Sequence, residues 1–146
     1  MIESFNHFSF TVSNLQKTVD FYTDILGMEV FSFADREQEY SEKVTGIKGS
    51  YLNIAYVKGY GTIVELIEYV GSDKRGNRSS SENIGAGHIC FNVSNLNDMV
   101  ADWKKKGISF KSDPVPVVAG ANKGGQVVYA EDPDGIIVEL IEPPAK

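Results

Sequence analysis

The sequence predicts an α+β protein built from two tandem β-α-β-β-β modules that curl as a mixed sheet around a shared cavity, and three observations lead there. The stretch Phe5-Asn6-His7-Phe8-Ser9-Phe10-Thr11-Val12-Ser13-Asn14-Leu15 returns as Ala86-Gly87-His88-Ile89-Cys90-Phe91-Asn92-Val93-Ser94-Asn95-Leu96. Ile63-Val64-Glu65-Leu66-Ile67-Glu68 returns as Ile137-Val138-Glu139-Leu140-Ile141-Glu142. Each first landmark is followed by an apolar series at helical spacing, Leu15, Val19, Tyr22 and Leu26 in one copy and Met99, Val100 and Trp103 in the other. The histidines are offset by 81 (88 − 7) and the glutamates by 74 (139 − 65), so the second copy is seven residues shorter between its landmarks. A duplicated module dictates architecture, because one copy cannot cover both faces of its own sheet.

In chain order, Phe5 to Val12 alternates as a strand, with His7, Ser9 and Thr11 on one face and Phe8, Phe10 and Val12 beneath the next helix. Ser13 or Asn14 caps that helix, which runs to about Leu26 and ends at Gly27. Met28 to Ala34 is a second strand, and Asp35 to Gly49 a long, partly charged excursion. Tyr51 to Val57 and Thr62 to Tyr69 pair across Lys58-Gly59-Tyr60-Gly61. Residues 71–84 read as a linker between a first module, 1–70, and a second, 85–146, within a single domain of 146 residues.

The second module repeats the order. His88 to Val93 is a strand, Leu96 to Lys106 an amphipathic helix closed by Gly107, and Ile108 to Lys111 a short strand. Pro114 and Pro116 fall in a loop, and Gly120-Ala121-Asn122-Lys123-Gly124-Gly125 reads as a mobile loop, a lid or a turn over a site. Gln126 to Glu131 and Ile136 to Glu142 form the last hairpin, around the turn Asp132-Pro133-Asp134-Gly135.

Composition narrows the function. A net charge of -6 and a pI near 4.9 argue against nucleic acid, whose binding depends on Lys and Arg neutralising phosphates. No run of eighteen apolar residues and no basic-then-apolar leader is present, so no membrane is expected. The single cysteine, Cys90, rules out an internal disulfide framework and agrees with a cytoplasmic location; it reads as a small buried hydrophobe.

Glu65 and Glu139 are each set between two isoleucines on one strand face. A carboxylate there is costly without a cation or donors to compensate it. A lone strand histidine is more often a core residue than a ligand. Two histidines and two glutamates at matched repeat positions, in a chain with no other histidine, reverse that balance in favour of a metal site.

These residues resemble the vicinal oxygen chelate superfamily, which includes glyoxalase I, methylmalonyl-CoA epimerase, extradiol dioxygenases and the bleomycin and fosfomycin resistance proteins. The resemblance covers nearly the whole chain; Phe21-Tyr22-Thr23-Asp24-Ile25-Leu26-Gly27-Met28 and the Asp-Pro-Asp-Gly turn share it. It implies that His7, Glu65, His88 and Glu139 line one cavity and bind one divalent metal, with zinc, nickel, iron, cobalt or manganese all suited to imidazole and carboxylate.

The leading expectation is a metal-dependent lyase, isomerase or epimerase of the glyoxalase I type, a lactoylglutathione lyase or methylmalonyl-CoA epimerase in kind. Glu139 and Glu65 would move a proton from carbon next to a carbonyl, while metal charge stabilises the oxyanion. The substrate would be a small carbonyl compound, anionic or a thioester or thiol adduct, and the protein a homodimer, with ligands from one chain or from two. The four-ligand set is closest to bacterial glyoxalase I, whereas Thr11 stands where glyoxalase I usually carries the arginine that holds the glutathione glutamyl carboxylate. Arg36, Arg75, Arg78 or Lys123 would hold an anion from loops instead. The alternatives are an iron(II) dioxygenase using His7 or His88 with Glu139, and a metal-free resistance-type binding protein with a cavity lined by Phe31, Phe33, Tyr40, Tyr51, Tyr56 and Tyr129.

Overall fold

The computed structural model describes residues 1–72 and 80–145. Half of the stretch read as a linker, including Arg75 and Arg78, lies outside them. The chain divides into two compact units, Met1–Gly76 and Asn77–Lys146. Each holds a four-stranded mixed sheet, which gives the α+β fold.

In the first unit, β1 (Phe8–Thr11) leads through α1 (Leu15–Asp20) and a π-helical turn (Phe21–Ile25) to β2 (Glu29–Arg36). Then come α2 (Gln38–Thr45), β3 (Tyr51–Gly59) and β4 (Thr62–Val70). The strand order is β1-β4-β3-β2, with β1 parallel to β4 and the other pairs antiparallel. Between β3 and β4 the loop is just Tyr60-Gly61, both at positive φ (53° and 76°), the backbone a tight primed hairpin turn needs.

Alternation gives β4 two distinct faces. Val64 and Leu66 are fully buried on the face that α1 covers, where Val19 is buried as well. Each such burial is worth roughly 1.5–3 kcal/mol, so this face holds the unit together. Ile63, Glu65 and Ile67 point the other way. Asn14 caps α1 by accepting from the Lys17 N–H, as the sequence suggests. The expected packing of Phe8 beneath the helix does not occur: it is 51% exposed and lies against Phe5, while Val12 is buried.

The second unit repeats the plan with β5 (His88–Asn92), α3 (Leu96–Lys105), β6 (Val115–Pro116), β7 (Gln126–Glu131) and β8 (Ile137–Glu142), in the order β5-β8-β7-β6. Leu96, Val100 and Trp103 of α3 are buried, as are Val138 and Leu140 of β8.

Three expectations change. Asp35–Gly49 contains the helix α2. The strand expected at Ile108–Lys111 is reduced to a single bridge, Phe110 with Ala130, and the edge strand comes later at Val115–Pro116. Proline is tolerated there because an edge strand leaves one side of its backbone unpaired. Residues 120–125 form the turn alternative expected of them, with the Gly124 N–H donating to Val117 O and the Gly125 N–H to Asn122 O. Finally, Arg36 ends a strand rather than sitting in a loop.

Candidate metal-binding pairs

The glutamate-bearing strand face of each unit carries the same constellation. In the first, Ser9 is in parallel register with Glu65; in the second, Cys90 is in register with Glu139. The histidine two residues earlier shares that face. Its ring reaches the carboxylate diagonally, with His7 Nε2 at 3.2 Å from Glu65 Oε2 and His88 Nε2 at 3.0 Å from Glu139 Oε2. His7 Nδ1 is 2.6 Å from Asn6 Oδ1. That contact gives the ring a second polar partner at Nδ1 while Nε2 faces the glutamate, the arrangement of a ligating imidazole.

A tyrosine on the neighbouring antiparallel strand completes each group. Tyr56 stands opposite Glu65 and Tyr129 opposite Glu139. The Tyr56 hydroxyl donates a short hydrogen bond to Glu65 Oε1. Burial, followed by that bond and the charge of Glu65, pushes the Tyr56 phenol up to about 12. The Tyr129 phenol is also raised, by burial and then by the charge of Glu139. His7 meets the Tyr56 ring edge-on at 5.6 Å, and His88 lies 5.8 Å from Tyr129.

The four residues expected as ligands therefore form two His–Glu pairs, one in each unit. Among the described residues no group of three or more His, Cys, Asp or Glu is gathered in a way that could hold a metal ion. Each pair nevertheless fits a cation. Two ligands bound about 2.1 Å from one ion at a right angle stand about 3 Å apart, the separation both pairs show. Glu65 is only 8% exposed between Ile63 and Ile67, a position that favours a cation or donors beside it.

Cys90 departs from its expected role as a buried hydrophobe. It is exposed on the His88 face, and its thiol is pushed up to about 11 by burial of the sulfur, then by the charge and hydrogen bonding of Glu139. Of the aromatics proposed to line a cavity, Phe31, Phe33, Tyr40 and Tyr51 are 56, 59, 54 and 42% exposed. Only Tyr56 and Tyr129 touch the pairs. Sequence reasoning missed their partnership with the glutamates. Setting the turn at Tyr60-Gly61 would have found one, since it puts Tyr56, four residues before the loop, opposite Glu65, four residues after it.

Residues 4–140 match the model of the Glyoxalase/Bleomycin resistance protein/Dioxygenase superfamily. The chain belongs to that family. It is 31% identical over 145 residues to a lactoylglutathione lyase of Schizosaccharomyces pombe, covering 93% of this chain and 46% of that protein. It is 30% identical over 139 residues to the mitochondrial methylmalonyl-CoA epimerase of Mus musculus, covering 92% of this chain and 70% of that one. The chain thus spans about half the length of the yeast lyase. A glyoxalase family protein from Bacillus cereus shares the fold, with a TM-score of 0.82 over 99% of this chain and 97% of that one at 20% identity. Among the described residues no helix is long and apolar enough to cross a membrane.

Proposed function

We propose that this superfamily member is a divalent-metal-dependent lyase, isomerase or epimerase that moves a proton on carbon next to a carbonyl. The observation that carries the reading is the repeated His–Glu pair, His7 with Glu65 and His88 with Glu139, each at the spacing of two ligands on one ion. Each pair would supply two ligands to a divalent cation. Its relatives include a lactoylglutathione lyase and a methylmalonyl-CoA epimerase, both compatible with this chemistry.

When bound, the cation supplies positive charge beside the oxyanion that develops as the proton leaves. His7 and His88 act as ligands through Nε2. The carboxylates differ in their donors. Glu65 accepts from the Tyr56 phenol, which fixes its position. Glu139 has the Cys90 thiol for a neighbour, a much weaker donor. Glu139, which lacks the phenol bond that holds Glu65 in place, takes the proton on a carboxylate oxygen, while Glu65 serves chiefly as a ligand.

The experiment is elemental analysis of purified protein reconstituted with nickel, zinc, cobalt, manganese or iron(II). Wild type is expected to hold about one metal per site, with both His7→Ala and Glu139→Ala losing it. Proton abstraction is then read as deuterium uptake from D2O into a 2-oxoaldehyde–thiol adduct or a methylmalonyl thioester. No retained metal after reconstitution would overturn the reading, and oxygen consumption by the iron form would replace it with the dioxygenase.

A further inference from the structure

Strand register places a cation on the same face as the first His–Glu pair. Going along β2, Ser32 is opposite Tyr56, Ala34 opposite Ile54 and Arg36 opposite Leu52, all beyond the bulge between Val30 and Ser32. Tyr56 is in turn opposite Glu65, and Ile54 opposite Ile67. Arg36 thus shares a face with Glu65, and the side chains between them, Ala34, Ile54 and Ile67, are all apolar. The four residues from Ser32 to Arg36 span about 13 Å of strand, a distance that two long side chains shorten from either end.

The guanidinium is available. Among the described residues it meets no carboxylate; it donates to the Asp35 carbonyl at 3.1 Å and lies 5.9 Å from the centre of the Tyr40 ring. Its positive charge is felt at the Tyr56 hydroxyl, opposing the upward shift of that phenol. A planar guanidinium held against an aromatic ring keeps its fork of donors for a carboxylate or phosphate.

We propose that Arg36, braced by Tyr40, anchors the anionic end of an elongated substrate whose chelating oxygens sit at the His7–Glu65 pair. The inference rests on the metal reading above and adds a substrate class: two neighbouring oxygens at one end, a short apolar middle, and a carboxylate or phosphate at the other.

Two hydroxamates test it, because a hydroxamate presents two vicinal oxygens to a metal. Suberic acid monohydroxamate carries a terminal carboxylate, and octanohydroxamic acid ends in a methyl group on a chain of the same length. Titrated calorimetrically into metal-loaded protein, the carboxylate-ended probe is expected to bind wild type about tenfold more tightly, as a charge-assisted, partly screened contact would give. Arg36→Gln should lose that preference while binding octanohydroxamate with unchanged affinity, which also shows that the variant is folded. Equal binding of the two probes by wild type, or a preference that survives in Arg36→Gln, would overturn the anchor alone. Binding of neither probe would overturn the metal reading and the anchor with it.

Discussion

Tyr56 and Glu65 face each other across β3 and β4, and the phenol donates to the carboxylate oxygen that His7 leaves free. With its phenol held up at about 12, Tyr56 stays protonated, and therefore a donor, at every pH where the protein would work. Glu65 is thereby fixed from both sides, by an imidazole at Oε2 and a hydroxyl at Oε1. Among the described residues no hydrogen bond joins the equivalent pair, Tyr129 and Glu139, although register and ring contact are repeated.

That asymmetry is measurable. Tyr56→Phe keeps the ring beside His7 and removes only the hydroxyl, so it should cost about 1–2 kcal/mol in urea unfolding, the value of one hydrogen bond to a charged acceptor with some exposure. Tyr129→Phe should cost well under half of that. Equal costs would mean that the Tyr56 hydroxyl does not hold Glu65.

Glu68 and Glu142, three residues after the site glutamates, point to the helix side of their sheets. Glu68 Oε2 accepts from the Leu15 N–H at 2.9 Å, at the start of α1. Glu142 accepts from the Asn95 and Leu96 N–H groups at 2.7 and 3.3 Å, at the start of α3. Asn95 itself has left-handed backbone and makes no side-chain cap, so Glu142 performs that role from another strand. Glu142→Ala should cost about 1–2 kcal/mol in chemical denaturation, combining a lost cap with a lost charge at the positive end of the helix. Glu142→Gln should recover part of it, since an amide oxygen still accepts.

Much of this was legible in the sequence because duplication exposes what a single copy hides. The repeated strand–helix–strand plan of the two units and the buried Val19, Tyr22 and Leu26 follow from the repeat and from periodicities of two and of three to four. What escaped has physical reasons. The α2 segment, Gln38–Thr45, buries only Ser41, whose hydroxyl donates to the Arg36 and Glu37 carbonyls, so no apolar stripe announces it. Its support comes from pairs one turn apart, Gln38 with Glu42 and Glu39 with Lys43, and from Gly46 in left-handed conformation at its end. Cys90 was misplaced because residue type suggests burial, whereas the strand face it shares with His88 and Glu139 is the open one. Glu68 and Glu142 look like solvent-facing residues until the helix ends are in view.

Gly125 is required by space. A Cβ there would stand 2.2 Å from the backbone oxygen of Glu142, a group that cannot rotate away. Gly125→Ala should therefore force β7 from β8 at the end nearest Glu142 and cost more than 2 kcal/mol, as overpacking against backbone does. The measurement is the urea midpoint, with Gly107→Ala as a comparison in which added volume meets no neighbour and only positive φ is strained.

Asp132 carries a pH dependence of definite sign. It is buried in the turn before β8, with Oδ1 accepting from the Asp134 and Ile136 N–H groups at 2.9 and 2.8 Å, while Oδ2 is buried with no partner among the described residues. Burial outweighs the backbone donors and pushes the carboxyl from 3.8 up to about 6. Between those values the folded chain holds a proton that the unfolded chain has released, so the contribution of Asp132 to stability falls as pH rises from about 4 to above 6. The loss is on the order of 2–3 kcal/mol for a shift of that size. Asp132→Asn retains the Oδ1 acceptor and removes the titration. Its stability relative to wild type should rise by that amount between pH 4 and pH 7, measured by urea denaturation at each pH. A difference that does not change with pH would show that Asp132 is ionised in the folded chain throughout this range.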